Sequence, residues 1–293
     1  MPTFMGTLSL NDNHELSTNT ILAPVKADGL HKGDAAGWVP SGGKKLDTGL
    51  SIVLENVTAG FKRPSVIDLK LGARLWDDRA PEAKRRRLDE VSDATTSRSL
   101  GFRIAGMKVH RPEGKAKPGA RFQEHIEVKD DGYLSYDKYY GRGFSAENVG
   151  EAFMEFLGGE ETLNKSGRTG HIAMRLAKEV RNLVSVLEKE ESRMYSASIL
   201  MVYEGDEEAM QAALEEEKRK ATTTANSRNE DEEDEDSEED DDDDEQKSKV
   251  YDMRLIDFAH AVWTSGQGPD KNALKGVRSV LRILEQLAAG DKA

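Results

Sequence analysis

The chain has 293 residues, 37% of them apolar, enough for one sizeable domain or two small ones. Its formal charge of −13 comes from one segment: residues 230–245, EDEEDEDSEEDDDDDE, hold 15 acidic side chains and no basic ones, and setting those 15 aside turns −13 into +2 for the rest. The absence of cysteine excludes disulfides and Cys-ligated metal centres, no apolar run approaches a membrane span, and MPTFMGTLSLNDNHEL does not read as a secretory leader.

Residues 3–10 read as a short strand, 23–49 as a loop rich in Gly, Lys and Asp, and LSIVLENV (50–57) as a second strand. In PSVIDLKLGARLW (64–76) charge and apolarity alternate over Val66–Leu71. On an extended strand this sends Ile67, Leu69 and Leu71 to one face and Asp68 and Lys70 to the other. Two readings fit: a surface strand with a charged outer face, or a polar site carried on a strand. PEAKRRRLDEVSDA (81–94) opens with a proline suited to a first helical turn and reads as a helix. GFRIAGMKVH (101–110) has strand character, and YLSYDKYYGRGF is aromatic-rich and extended or looped.

Three helices follow. Ser145 precedes AENVGEAFMEFLGG, where Val149, Phe153 and Phe156 share a face and Gly158-Gly159 ends it. Between Arg168 and Arg193, Ile172, Leu176, Val180, Leu183 and Leu187 recur at steps of three or four, and over 271–289 Leu274, Val277, Leu281, Leu284 and Ala288 do the same. Strands at 196–204 and 250–258 lie between these two, separated by a charged helix and the acidic run. That run repels itself and has no apolar side chains to bury, so it is expected to be disordered. Strands early and helices late predict an α+β fold.

SGGKKLD at 41 has the wrong spacing for a phosphate-binding loop of the GxxxxGK[ST] type, GRGF at 141 is too short for a nucleotide fingerprint, and the six histidines form no HExxH pair. In RLIDFAHAVW, Asp257 sits between Ile256 and Phe258 at a strand end, with His260 three residues on. A carboxylate there is expensive unless it is hydrogen-bonded or holds a cation. It reads either as a capping aspartate or as a Mg²⁺ ligand for phosphoryl transfer. Lys84-Arg85-Arg86-Arg87 on a helix suits a poly-anionic ligand, but equally a solvated face, a nuclear-localisation signal or a nucleic-acid patch. No aromatics interleave it, which argues against nucleic acid.

Together these segments resemble the inositol polyphosphate kinases, especially the fungal multikinases. PxxxDxKxG is present as Pro64, Asp68, Lys70 and Gly72, IDFAH as Ile256–His260, and an SSLL-like element as ASIL (197–200); LENVTAGFKRP, SLGFRIAGMKV, YGR and VYEGD also match. The resemblance implies a protein-kinase-like two-lobe fold and ATP- and Mg²⁺-dependent phosphorylation of inositol phosphates. It assigns orientation of the attacking hydroxyl to Asp68 and contact with acceptor and transferred phosphoryl to Lys70. It assigns acceptor binding to Lys84, Arg86, Arg87 and His260, the metal to Asp257 with Ser198, and nucleotide contacts to Glu55, Asn56, Val57 and Asp257. Residues 1–59 are then the hinge and an incomplete N-terminal lobe with a flexible loop at 24–49, in which Lys26 has no phosphate-gripping context, so ATP is expected to bind poorly. Residues 60–290 form the catalytic lobe, interrupted by an acidic insertion at 221–249. The alternative is a non-catalytic nuclear scaffold contacting basic proteins through 230–245. Location in nucleus and cytoplasm is expected, without a membrane span or a nucleic-acid partner. Deleting 230–245 is expected to leave both the thermal midpoint and inositol phosphate turnover unchanged; a large fall in either would make the run part of the folded body.

Overall fold

The computed structural model describes residues 1–9, 50–111, 121–158, 168–227 and 249–290. They divide into two compact units, Thr3–Glu55 on the one hand, and Asn56 onward with Met1–Pro2 on the other. The first unit pairs β1 (Phe4–Ser9) antiparallel with β2 (Leu50–Leu54), from Phe4 opposite Leu54 to Ser9 opposite Leu50. Glu55 closes the pair. Its backbone N–H donates to Thr3 O (2.9 Å), and its Oε2 accepts from Thr3 N–H (3.1 Å) and Oγ1 (2.8 Å). The strand read over 50–57 therefore stops at Leu54, and the loop expected at 24–49 lies outside the described residues.

The second unit runs β3 (Pro64–Leu71), α1 (Glu82–Asp93), α2 (Thr96–Leu100), β4 (Phe102–His110), β5 (Ile126–Val128), β6 (Tyr133–Tyr136), α3 (Lys138–Arg142) and α4 (Gly150–Phe156). It continues with α5 (Arg168–Leu187), β7 (Ser192–Met194), β8 (Ser198–Glu204), α6 (Glu207–Ser227), β9 (Tyr251–Ile256), β10 (Ala261–Trp263) and α7 (Lys271–Ala288). Six strands form one sheet in the order β5-β6-β4-β3-β8-β9 with every neighbour antiparallel, and β7 pairs with β10 in a small second sheet. The α+β fold is as expected.

The alternation in β3 decides the layering. Ile67, Leu69 and Leu71 are fully buried on one face, where α4 and α7 pack on β3 and β4 and α5 lies along α7. Phe102 meets Phe153 edge-on at 5.9 Å, tying β4 to α4, and the Tyr203 hydroxyl donates to Phe156 O at 2.6 Å, tying β8 to the same helix. The helical periods hold: Ile172, Leu176 and Val180 on α5 and Leu274, Val277 and Leu284 on α7 are all buried, each such side chain contributing roughly 1.5–3 kcal/mol.

Several boundaries differ from expectation. The helix after Ser145 is a pair of turns until Gly150. The helix read to Arg193 ends at Leu187, because Ser192–Met194 leaves to pair with β10. The aromatic segment YLSYDKYYGRGF is a strand, a cap and a helix: Asp137 accepts from Tyr139 N–H (2.7 Å) and Tyr140 N–H (3.1 Å) to start α3. Its rings are core, with Tyr136 and Tyr140 centroids 4.7 Å apart and Tyr140 and Phe144 5.0 Å apart. α6 runs to Ser227, so the insertion boundary drawn at 221 falls inside a helix. Among the described residues no helix is long and apolar enough to cross a membrane.

One close approach is backbone to backbone. Gly101, at φ 75° after α2, lies against Gly276 of α7, and a Cβ on Gly276 would stand 2.1 Å from Gly101 O. Gly276→Ala is expected to destabilise the fold by about 1–3 kcal/mol, seen as a lower urea midpoint at unchanged slope. An unchanged midpoint would mean that α7 can shift freely at this crossing.

Candidate active site

The face of the sheet opposite the core carries the charges. Across it the register sets Arg103 of β4 beside Lys70 of β3, Lys70 beside Ser198 of β8, and Ser198 beside Ile256 of β9. Asp257 follows β9 with a left-handed backbone, φ 67° and ψ 58°, in place of the strand-end position expected for it. That conformation, uncommon outside glycine, brings its carboxylate back over the sheet. Lys70 Nζ donates to Asp257 Oδ2 at 2.9 Å and to Ser196 O at 3.1 Å, and Ser198 Oγ lies 3.4 Å from the same Asp257 oxygen. Asp68 and Lys70 of β3, Ser198 of β8 and Asp257 of the turn after β9 thus converge.

Asp68 is the unsatisfied member. Its Oδ1 is buried and has no hydrogen-bond donor among the described residues. Burial raises its pKa above the ordinary carboxylate value; the Ser198 hydroxyl and Lys70 work against that rise, Asp257 adds to it, and Arg103 opposes it. Neighbouring Asp257 is half exposed, with 51% of its side chain accessible.

A second group forms where the loop between β3 and α1 meets the turn after β9. Gly72, at φ 98°, turns the chain out of β3, and a Cβ there would meet Asn272 Nδ2 at 2.6 Å. Asn272 then clamps the next two residues: its Oδ1 accepts from Ala73 N–H and Arg74 N–H, both at 2.9 Å, and its Nδ2 donates to Arg74 O at 2.9 Å. Beyond the clamp, Trp76 lies under two guanidinium groups, Arg74 at 3.9 Å and Arg85 at 4.8 Å, and its Nε1 donates to Asp89 Oδ1 at 2.8 Å. Arg85, one of the four cluster cations, is therefore an anchor for α1, with Nε on Ala80 O at 2.7 Å.

The loop so fixed presents Asp77, whose Oδ2 lies 2.6 Å from His260 Nδ1. Although desolvation acts the other way, the Arg79 N–H and the charges of His260 and Lys84 hold Asp77 below the ordinary carboxylate value. Lys84 and His260 are thus brought together around Asp77. Arg86 and Arg87 are exposed on α1. Val57 is buried, and the Asn56 side chain is taken up capping its own turn, accepting from Thr58 N–H (3.1 Å) and Oγ1 (2.8 Å). Glu55 belongs to the first unit, where it holds Thr3.

Sequence reasoning missed Asp77, Arg103 and the anchor Trp76. Nothing in the local pattern around Asp77 marks it, since its partner comes from beyond β9. Arg103 had a usable signal, the alternation within β4 that aligns it with Lys70. A cavity of about 580 Å³ lined by Met174, Arg175, Lys178, Arg181, Tyr251 and Glu285 includes none of these residues. Its two arginines are engaged, Arg175 with Glu217 at 2.7 Å and Arg181 with Glu285 at 2.5 Å.

Comparison with known proteins bears on the family and the fold. Residues 51–285 match the family model for inositol polyphosphate kinase. The inositol polyphosphate multikinase of Saccharomyces cerevisiae is 34% identical over 292 residues, covering 97% of this chain and 81% of the relative. Human inositol hexakisphosphate kinase 3 is 29% identical over 248 residues, covering 82% of this chain but 52% of its own length. The crystal structure of the S. cerevisiae inositol phosphate multikinase in complex with ADP and Mn²⁺ superposes with a TM-score of 0.63 at 31% identity, over 81% of this chain and 84% of that one. This chain belongs to the inositol polyphosphate kinase family.

The buried carboxyl has a consequence for stability. Because Asp68 is a weaker acid folded than unfolded, ionising it opposes folding, a penalty that is absent below the unfolded value, grows as pH rises from there and is complete above the folded one. Asp68→Asn is therefore expected to raise the thermal midpoint at neutral pH, with the gain shrinking as the pH is lowered. A variant less stable than the parent at pH 7 would show that the charge is a net support of the fold.

Proposed function

We propose that this protein transfers the γ-phosphate of ATP to hydroxyl groups of inositol phosphates, at more than one ring position, with a divalent cation, Mg²⁺ in the cell. The observation that carries the reading is Asp68 Oδ1, a buried acceptor with no donor among the described residues, beside an ammonium group and a half-exposed carboxylate. An acceptor hydroxyl supplies the donor that Oδ1 lacks. As its oxygen attacks the phosphorus, its proton passes to Asp68, whose raised basicity suits a proton acceptor, and ADP leaves.

Lys70 sits between the two carboxylates and can follow the negative charge that develops on the transferred group. Lys84 and His260, gathered around Asp77, are the proposed contacts for acceptor phosphates, with Arg86 and Arg87 reaching from the exposed face of α1. Val57 keeps the proposed role at the nucleotide base, through its backbone groups.

The metal donors fit a hard cation. Among the described residues no group of three or more His, Cys, Asp or Glu converges, so the protein offers the Asp257 carboxylate and the Ser198 hydroxyl. So small a set of oxygen donors is the usual provision for Mg²⁺, which relies on nucleotide phosphates for the remaining positions. A cation held there would offset the charge of the donor phosphates.

The direct test is transfer of labelled γ-phosphate from ATP to an inositol trisphosphate by the full chain with Mg²⁺. No transfer, with nucleotide and acceptor both shown to bind, would leave the protein a non-catalytic binder. Asp257→Ala is expected to lower kcat/KM by at least about a hundredfold while the circular dichroism spectrum stays unchanged. Near-normal turnover in that variant would remove Asp257 from the metal site.

A further inference from the structure

Arg103 and Arg142 stand on the α3 side of Asp68, and neither has a role in the reading above. Arg103 lies directly opposite Lys70 in the sheet, on the same face as Asp68. Its Nη1 donates to Ser97 Oγ at 3.2 Å, which fixes the guanidinium beside the strand. Arg142 arrives from another element. α3 lies flush on β4, because Gly141 leaves no room for a side chain: a Cβ there would stand 2.2 Å from Ile104 O. The next residue after that contact is Arg142, its guanidinium 5.4 Å from the Tyr139 ring.

Two guanidinium groups so placed repel one another. Arg103 is pulled down to about 10, first by burial and then by the Arg142 charge, with Asp68 acting the other way. Several other arginines of the unit come with carboxylates, Arg111 with Glu155, Arg121 with Glu151, Arg181 with Glu285 and Arg278 with Glu188, and others, such as Arg85 and Arg193, are held by backbone carbonyls. Among the described residues, Arg103 and Arg142 have no carboxylate within 4.0 Å. A like-charged, half-buried pair without a counter-ion is suited to an anion that both can grip, and the planar fork of arginine matches a phosphate.

We propose that Arg103 and Arg142 form a second phosphate subsite for the acceptor, across Asp68 from the Lys84–His260 group. This rests on the function proposed above and deepens it. An inositol phosphate whose hydroxyl meets Asp68 would be held by ring phosphates on both sides, and the subsite would favour acceptors that carry a phosphate on the α3 side. Arg142 is the residue to test, since it reaches the site from α3 and touches neither Lys70 nor Asp257.

Calorimetric titration of the full chain and its Arg142→Gln variant with an inositol trisphosphate, the bisphosphates lacking one phosphate each, and ADP with Mn²⁺ decides the matter. The variant is expected to bind the trisphosphate roughly tenfold more weakly, the effect of one charge-assisted contact, and to bind ADP as the parent does. One bisphosphate, the one lacking the gripped phosphate, should bind parent and variant alike. Arg142→Lys, which keeps the charge without the fork, should fall between them and serves in place of the glutamine variant if that one folds poorly. Equal trisphosphate binding by parent and variants overturns the subsite and leaves the function standing, as does an equal loss for every bisphosphate. A parent chain that binds no inositol phosphate overturns both.

Discussion

Everything in the catalytic unit hangs on the two faces of β3, a central strand hydrogen-bonded to β4 on one side and β8 on the other. Ile67, Leu69 and Leu71 can only be buried together if Asp68 and Lys70 point the opposite way, because successive side chains alternate. A one-residue slip would drive a carboxylate and an ammonium group into the layer occupied by Phe102, Phe153 and Leu274. The same packing that stabilises the fold therefore holds the polar row in register. It also half-buries Asp68, which is why that carboxyl resists ionisation.

The site is built from charges that offset one another incompletely. Lys70 is shared between Asp257 and a backbone carbonyl, and Ser198 lies between two carboxylates with one proton to give. Among the described residues Asp68 Oδ1 is left without a donor. A stable protein has no use for an unsatisfied buried acceptor, and such a group is tolerated where a ligand completes it. The left-handed turn at Asp257 belongs to the same pattern, a conformation held by its surroundings because it aims a functional side chain.

Distant segments meet here through small, specific backbone contacts. Asn272, at the start of α7, grips the chain just beyond Gly72 and so sets the direction in which Trp76, Asp77 and α1 leave the sheet. Glu191 fixes the other wall, accepting from Gly266 N–H (2.6 Å) and Gly268 N–H (3.0 Å) and so holding the loop after β10, the strand that His260 precedes. Gly72, Gly101, Gly141 and Gly276 are all places where a side chain would collide with a neighbour. Each marks a close approach that positions a charged residue or the helix behind it.

The sequence by itself determined what local periodicity can determine. The alternation in β3 and the three-to-four spacing in α5 and α7 named their buried residues, and PxxxDxKxG with IDFAH named the family, because these signals lie within a few consecutive residues. Tertiary structure alone decided the rest. Whether Val66–Leu71 was a surface strand or a site-bearing one depended on β4 and β8 flanking it, and the helix read to Arg193 stopped at Leu187 because a strand beyond residue 260 claimed Ser192–Met194. Arg85 looked like its cluster neighbours until Trp76 came to lie beneath it. Asp77 beside His260, and Arg103 beside Arg142, exist only as pairs in space: the interactions that join them act over a few ångströms between segments far apart in the chain, and no local pattern encodes that approach.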